Sequence, residues 1–268
     1  MSNIGFIGYG SMGAMLVEGF IDSGMCKPED VFLNTRTQSK LDAIRNKYPQ
    51  IHAPSDIPSL AEHCDQIWIC VEPSAVPGVL DILKPLFRPK HHFVSIAAGF
   101  SILEIANFLR QPAAQVTKVM PSITSKVGEG ISLVCHGEHV NCQQRKETEE
   151  LLDNIGTTKN ITEDEFEITN LTACLPGLYA VILETIAEVG ARHHSSLTLE
   201  ETTQIVVQNI YGTAKLLHDS KMKFPEVVDQ VATKGGITRQ GIAIIEDRLP
   251  GILEDAFKAM SNHVKPSS

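Results

Sequence analysis

The chain has 268 residues, of which 43% are hydrophobic and 21% charged, with a formal net charge of −9. That length suits one large or two modest domains, with a core that needs neither disulfides nor metals to hold it. The acidic balance argues against a general nucleic-acid surface, which needs a basic stripe. Six irregularly spaced cysteines without a Cys-x-x-Cys pair argue against a disulfide framework. The start of the chain has no basic leader, and no apolar run approaches the ~18–20 residues that span a bilayer. The expectation is a soluble cytoplasmic protein with no membrane partner.

Asn3–Ile7 reads as a short buried strand, followed at once by Gly8-Tyr9-Gly10-Ser11-Met12-Gly13 and a helix with apolar positions at Ala14, Met15, Val17 and Phe20. This is Gly-x-Gly-x-x-Gly between a strand and a helix. In a dinucleotide site the first glycine permits the tight turn, the second lets backbone approach a pyrophosphate, and the third lets helix and strand pack closely. The helix N-terminus, at Ser11 and Met12, offers N–H groups and a partial positive charge to phosphates.

Val31–Asn34 is the second expected strand, ending in Thr35-Arg36-Thr37. An NAD-selective site places a carboxylate ~20 residues past the fingerprint. Here Asn34 stands at that distance, while Arg36 and the two threonine hydroxyls suit a 2′-phosphate. The reading is NADP(H) preferred, with NAD(H) as the secondary option.

A helix is expected at Leu41–Tyr48, a small strand at Ile51-His52, and a buried strand at Ile67–Val71 leading to Glu72-Pro73. Trp68 belongs to the core. Val76–Leu86 is helical and His92–Ile96 is a strand, closing at Ala97-Ala98-Gly99, where small residues let a ring approach the backbone. Ser101 and Glu104 form a capping box for a helix over Ile102–Leu109. Gln115–Val119 leads into Met120-Pro121-Ser122, and Gly130–Cys135 is one more strand. Strands alternating with helices predict a doubly wound α/β domain. Ligands then bind at the carboxyl ends, after Ile7, Leu33, Val71, Ile96 and Val119.

Near Asn160 the character changes, which places a boundary between domains 1–160 and 161–268. Ile168, Leu171, Leu175, Leu178, Ile182, Ile186 and Val189 step by three or four along one long helix, with a kink expected at Pro176. Further helices are expected over Thr198–Asp219, Phe224–Thr233 and Thr238–Asn262. Val206, Val207, Ile210, Leu216 and Leu217 supply apolar faces to share with another subunit.

Taken together, the fingerprint, Asn34-Thr35-Arg36, Val71-Glu72-Pro73, Ser95–Gly99, Met120-Pro121-Ser122 and Lys234-Gly235-Gly236-Ile237-Thr238 resemble the pyrroline-5-carboxylate reductase family, across essentially the whole chain. The resemblance implies an NAD(P)H enzyme of the last step of proline synthesis. It implies an α/β Rossmann-type N-terminal domain, an all-α C-terminal dimerisation domain and an active site between them. The partners implied are a small imino-acid substrate and a second copy of the chain, with assembly beyond a dimer left open. It assigns Gly8, Gly10, Ser11, Met12, Gly13, Asn34, Thr35, Arg36, Val71, Pro73, Ala97, Met120 and Pro121 to the cofactor. Gly235, Gly236 and Ser122 fall to the substrate, and the Thr238 hydroxyl meets the imine nitrogen. Thr238 also reads as an N-cap after a Gly-Gly turn, and the two roles are compatible.

The departures from that family's pattern matter most for the substrate, although the first of them lies near the adenosine part of the cofactor. Glu72 replaces a lysine, Ser122 an asparagine, and Ala173-Cys174-Leu175-Pro176-Gly177-Leu178-Tyr179 replaces a segment with two serines. Two alternatives therefore stand beside imine reduction by hydride transfer: a paralogue acting on another imine or carbonyl, and a nucleotide-binding regulator that has lost catalysis. Cys135, His136, His139 and Cys142 fit no common zinc spacing, so no metal is expected. His91-His92 and His193-His194 read as solvated pairs, and Tyr179 as packing. Lys234 reads as a solvated loop residue.

Overall fold

The computed structural model describes residues 3–193, 196–233 and 235–264, with side chains for all of these except 167–171 and 261–264. Lys234 and His194 thus lie outside the described residues, as do the side chains of Ile168 and Leu171. The chain forms two compact units, Met1–Pro176 and Gly177–Ser268.

The first unit is built on a seven-stranded sheet: β1 (Ile4–Ile7), β2 (Val31–Asn34), β3 (Gln66–Ile69), β4 (His92–Ser95), β5 (Gln115–Met120), β6 (Gly130–His136) and β7 (Gly156–Asn160). Its spatial order is β2-β1-β3-β4-β5-β6-β7. β1 to β5 are mutually parallel, β6 runs antiparallel to β5, and β7 is parallel to β6. A parallel bridge between Phe32 and His52 adds one rung outside β2. This is the place of the third strand in the usual Rossmann order 3-2-1-4-5-6.

Each central strand is apolar on both sides because helices cover both faces. Phe6, Trp68 and Val94 point to one face with Leu16 and Phe20 of α1 (Ser11–Asp22), Ile44 of α2 (Gln38–Lys47) and Leu151 of α6 (Cys142–Asp153). Ile7, Ile67, Ile69 and Phe93 point to the other. They pack with Leu60 of α3 (Ile57–His63), Leu80 of α4 (Val76–Leu83) and Ile105 of α5 (Ile102–Phe108). Trp68 is fully buried between Phe6 and Phe20, with ring centroids 5.9 and 5.4 Å away. Each such side chain contributes about 2–3 kcal/mol of burial.

Three elements lie outside the sequence expectation: α3, α6 and β7. Asp56 caps α3 by accepting from the Ser59 N–H at 2.8 Å. His91 and His92 are not solvated; each is 1% exposed. His91 accepts the Arg88 backbone N–H at 3.2 Å, and His92 hydrogen-bonds the Thr117 hydroxyl at 2.7 Å. A tertiary partner 25 residues away has taken the place of water at His92.

Pro176 is the second residue of an α-helix rather than in its interior. Asp164–Thr169 is a 3-10 helix, Asn170–Cys174 is a π-helical turn, and α7 (Leu175–His193) begins one residue before the proline. The expected irregularity at the proline takes the form of a change of helix type, from π to α, directly before it.

The second unit continues α7 and adds α8 (Leu199–Asp219), α9 (Phe224–Val231) and α10 (Ile237–Val264). α8 starts in a capping box of Thr198 and Glu201. Gly190 lets α7 approach α8 closely: a Cβ there would stand 3.1 Å from Thr202 Cγ2. Among this unit's described residues only Ala187, Thr202 and Ala232 are buried, while Val181, Ile186, Ile205, Val207, Ile244 and Ile245 stay exposed. Continuous helix over Thr172–His193, with mean hydropathy 1.4, is by length and composition long enough to cross a membrane. This differs from the sequence expectation that no apolar run approaches that length; Glu184 and Glu188 interrupt the stretch.

Candidate active site

β1 ends at Ile7 and α1 begins at Ser11, so Gly8-Tyr9-Gly10 makes the whole turn. Gly8 has φ +105°, and a Cβ on it would stand 2.6 Å from the carbonyl oxygen of Cys70, just past β3. At Gly10, by contrast, a Cβ would meet nothing within 4 Å. This is the open side of the turn.

Gly10 is also the N-cap of α1. It brings no capping side chain, and the first turn holds no acid. α5 and α6 differ: their N-terminal N–H groups are satisfied by the Ser101/Glu104 and Asn141/Gln144 capping boxes. The N–H groups of Ser11, Met12 and Gly13 are therefore offered outward at the positive end of a helix dipole, where a phosphate binds. The residues present fit a dinucleotide.

The turn is fixed from three sides. The Gly8 N–H donates to the Asn34 carbonyl at 2.8 Å. The Tyr9 hydroxyl donates to Glu18 Oε1 at 2.7 Å, and burial, reinforced by Glu18, pushes that phenol's pKa well up. Lys40 Nζ donates to the Tyr9 carbonyl at 3.0 Å. Glu18 in turn pairs with Lys47 at 2.7 Å.

Beside the turn lies a recess of about 470 Å³, lined in part by Tyr9, Gly10, Ser11, Ala14 and Lys40. Thr35 is half-buried and Arg36 exposed, without a salt bridge among the described residues. α2 starts at an N-cap, Thr37, that makes no side-chain cap bond, and its first turn again holds no acid. Lys40 was missed from sequence. Its signal is a cation in the first turn of a helix, where the dipole disfavours one unless an anion is to be met.

The remaining tails emerge along the same edge, because the registers align Ile7 with Asn34 and Ile69, and Ile69 with Ser95. Val71 is half-buried, and Pro73 opens a 3-10 turn, Pro73–Ala75. Ala97 is buried, its N–H donating to Ser95 Oγ at 3.3 Å. Met120 is half-buried and Pro121 buried. Ser122 is buried too. Its hydroxyl meets Thr124 Oγ1 at 2.8 Å and caps the 3-10 helix Ile123–Val127, so it shapes the turn after β5.

In the second unit Gly235 takes φ +79°, and a Cβ on Gly236 would stand 2.7 Å from Thr233 Oγ1. The Gly236 N–H donates to the Thr233 carbonyl at 2.9 Å. α10 begins at Ile237, so Thr238 is its second residue and not its N-cap. That correction follows from Gly236 ending the turn. The Thr238 side chain is exposed and makes no hydrogen bond among the described residues.

Cys135 and His136 lie in β6 and Cys142 opens α6. Among the described residues no group of three His, Cys, Asp or Glu side chains is arranged to hold a metal. His136 is committed instead to Thr117 at 2.8 Å and Glu149 at 3.2 Å. Burial pushes the Cys64 thiol up to about 12 and the Cys70 thiol higher still, which leaves both inert at neutral pH.

A five-strand parallel core with an uncapped, glycine-rich helix start at its carboxyl edge defines the class: a Rossmann-type dinucleotide-binding protein. Comparison narrows it. Residues 163–266 match the family model described as pyrroline-5-carboxylate reductase dimerisation, and residues 3–99 match NADP oxidoreductase coenzyme F420-dependent. Pyrroline-5-carboxylate reductase 3 of Bacillus subtilis is 35% identical over 260 residues, covering 96% of this chain and 94% of that protein. ComE operon protein 4 of the same organism is 27% identical, covering 98% and 94%. The structure of Plasmodium falciparum pyrroline carboxylate reductase with NADP bound superposes with a TM-score of 0.88 at 24% identity, covering 98% of this chain and 97% of that one. The chain belongs to the pyrroline-5-carboxylate reductase family and is an NAD(P)H-dependent oxidoreductase.

Proposed function

We propose that this chain reduces a cyclic imine, 1-pyrroline-5-carboxylate, to L-proline with NADPH, in the cytoplasm and as a homodimer. The observation that carries the reading is the open phosphate cradle at Gly8–Gly13, in a chain that also presents an unengaged Thr238 hydroxyl in the first turn of α10. When bound, the nicotinamide supplies a hydride. Residues 1–160 hold the cofactor, and residues 161–268 serve the substrate and the dimer.

The chain's own residues have three tasks. Ser11, Met12 and Gly13 bind the pyrophosphate through backbone N–H groups. Arg36 and Lys40, with the hydroxyl of Thr35, receive a 2′-phosphate as charge-assisted donors, and the Asn34 side chain, which donates to the Pro54 carbonyl at 3.1 Å, leaves no carboxylate to repel it. Val71, Pro73, Ala97, Met120 and Pro121 shape the carboxyl edge. Thr238 donates to or accepts from the imine nitrogen, and the N–H groups near Gly235 and Gly236 anchor the substrate carboxylate. A protonated imine is already electrophilic, so no group with a strongly shifted pKa is required. The exposed apolar residues of α7, α8 and α10 are the dimer surface; Glu184 and Glu188 make a bilayer a poor alternative for α7.

A second reading, reduction of another cyclic imine or carbonyl, is favoured by Leu175 and the segment around it, which departs from the family pattern. Spectrophotometric NADPH oxidation with pyrroline-5-carboxylate and a panel of small imines separates the cases. Turnover of pyrroline-5-carboxylate is expected. Turnover of another imine alone favours the second reading, and NADPH binding without any turnover points to a regulator that has lost catalysis.

A further inference from the structure

Lys118 is the fourth residue of β5, level with Ser95 of β4, and it is almost fully buried. Its Nζ stands 3.3 Å from Glu163 Oε1 and 4.3 Å from the centre of the Phe166 ring. The same carboxylate oxygen accepts the backbone N–H of Ile102 at 2.7 Å. Ile102 is the first residue of α5, so a carboxylate 61 positions away holds the first N–H of that helix. The N–H groups of Ser101, just before it, and of Glu104 are held locally, by the capping box those two residues form.

Between β4 and α5 runs the short connection Ile96–Ser101, with Gly99 at φ +82°. β4 fixes one end of it. The other end joins the start of α5, where Phe100 and Ile102 pack against the core and Glu163 adds the polar contact to the Ile102 N–H. A buried lysine is an expensive way to hold a sheet together, since an apolar residue would serve the core at lower cost. What Lys118 adds is a fixed charge that orients one carboxylate toward one backbone N–H.

We propose that Glu163, oriented by Lys118, is a positioning residue for the reductase reaction: it pins the start of α5 and so holds the Ala97–Phe100 connection in the shape that receives the dinucleotide. The inference rests on the reading of Ala97 as part of the cofactor site.

The test uses the full chain and three variants: Glu163→Ala, Glu163→Gln, and Lys118→Met combined with Glu163→Gln. Four quantities are measured: NADPH affinity by fluorescence titration, the separate KM values for NADPH and pyrroline-5-carboxylate, and Tm. Glu163→Ala is expected to weaken NADPH by about tenfold while the imine KM moves by less than about twofold, displacement of a binding element being costly even at a distance. Glu163→Gln keeps an acceptor for the Ile102 N–H and is expected to recover to within about threefold. The double variant removes the stranded cation and is expected to match it, with a restored Tm.

Equal cofactor losses in Glu163→Ala and Glu163→Gln, or a lower Tm with no loss in either, would make the contact structural only and overturn the proposal. If the wild type binds NADPH but turns over no imine, the functional reading fails while the affinity ratio of the two Glu163 variants still decides this one. A wild type that does not bind NADPH overturns both.

Discussion

Gly13 and Gly8 touch through backbone alone: a Cβ on Gly13 would stand 2.6 Å from the Gly8 carbonyl oxygen. Neither the strand end nor the helix start can yield without moving the other. Gly13→Ala is therefore expected to cost about 1–3 kcal/mol of stability, the usual range for overpacking, and to lower NADPH affinity with it. Gly10→Ala meets no atom within 4 Å and is expected to stay within about 0.5 kcal/mol of wild type while losing most NADPH affinity. Urea unfolding and NADPH titration on both variants check the contrast; matched stability losses would sink it.

Arg36 and Lys40 flank the end of β2 and the start of α2 without a carboxylate in the first turn of that helix. Each charge-assisted bond to a phosphate is worth about 1.5–3 kcal/mol. Arg36→Ala is expected to weaken NADPH by about ten- to a hundredfold and NADH by less than about threefold. Lys40→Ala should affect both cofactors, because Lys40 also holds the Tyr9 carbonyl. Comparative titrations with the two cofactors decide it, and equal losses on Arg36→Ala would remove the 2′-phosphate assignment.

The cofactor half was legible in the sequence because each of its signals is local. A turn that demands φ > 0 needs glycine at Gly8, and a strand covered on both faces reads as an apolar run such as Ile67–Ile69. α6 and β7 gave no such signal. α6 buries only Thr148, Leu151 and Leu152 beneath a polar exterior, and β7 is the polar edge strand Gly156-Thr157-Thr158-Lys159-Asn160, paired on one side only. α3 was signalled by Asp56 before Pro58 and Ser59, a cap followed by a first-turn proline, but its seven residues show no period. His92 was misread for a different reason. Polar residues look solvated until the fold supplies a partner, and Thr117 is supplied only when β5 settles beside β4.

Thr238 can be replaced without disturbing the fold, since its side chain is exposed and its hydroxyl engages no described residue. Thr238→Ala is expected to leave Tm within about 1 °C, consistent with a surface substitution, and NADPH affinity nearly unchanged. Its kcat should fall by about a hundredfold, the order of loss when a hydrogen bond that orients the reacting nitrogen is removed. Thr238→Ser keeps the hydroxyl and should retain most turnover. Steady-state kinetics with pyrroline-5-carboxylate are the measurement, and unchanged turnover in Thr238→Ala would displace it from the chemistry.

His92 contributes to the acid limb of stability. The Glu149 carboxylate can only accept, so His136 donates to it from Nε2 and accepts the Thr117 hydroxyl proton at Nδ1. Thr117 then accepts from His92 Nε2, which leaves His92 Nδ1 bare and buried without a partner. A proton there would have no acceptor. Burial accordingly lowers the His92 pKa from 6.5 to about 3, and burial lowers that of His136 as well.

The folded state thus binds fewer protons than the unfolded one. Stability is complete above the unfolded value of 6.5 and is lost as pH falls toward about 3, by about 1.4 kcal/mol per pH unit for one such group. His92→Gln keeps a donor for Thr117 but does not titrate. It is expected to be less stable than wild type near neutral pH, yet to lose stability more slowly on acidification, so that the two Tm curves converge between about pH 6 and pH 4. Curves that stay parallel across that range would mean His92 is not held neutral by the fold.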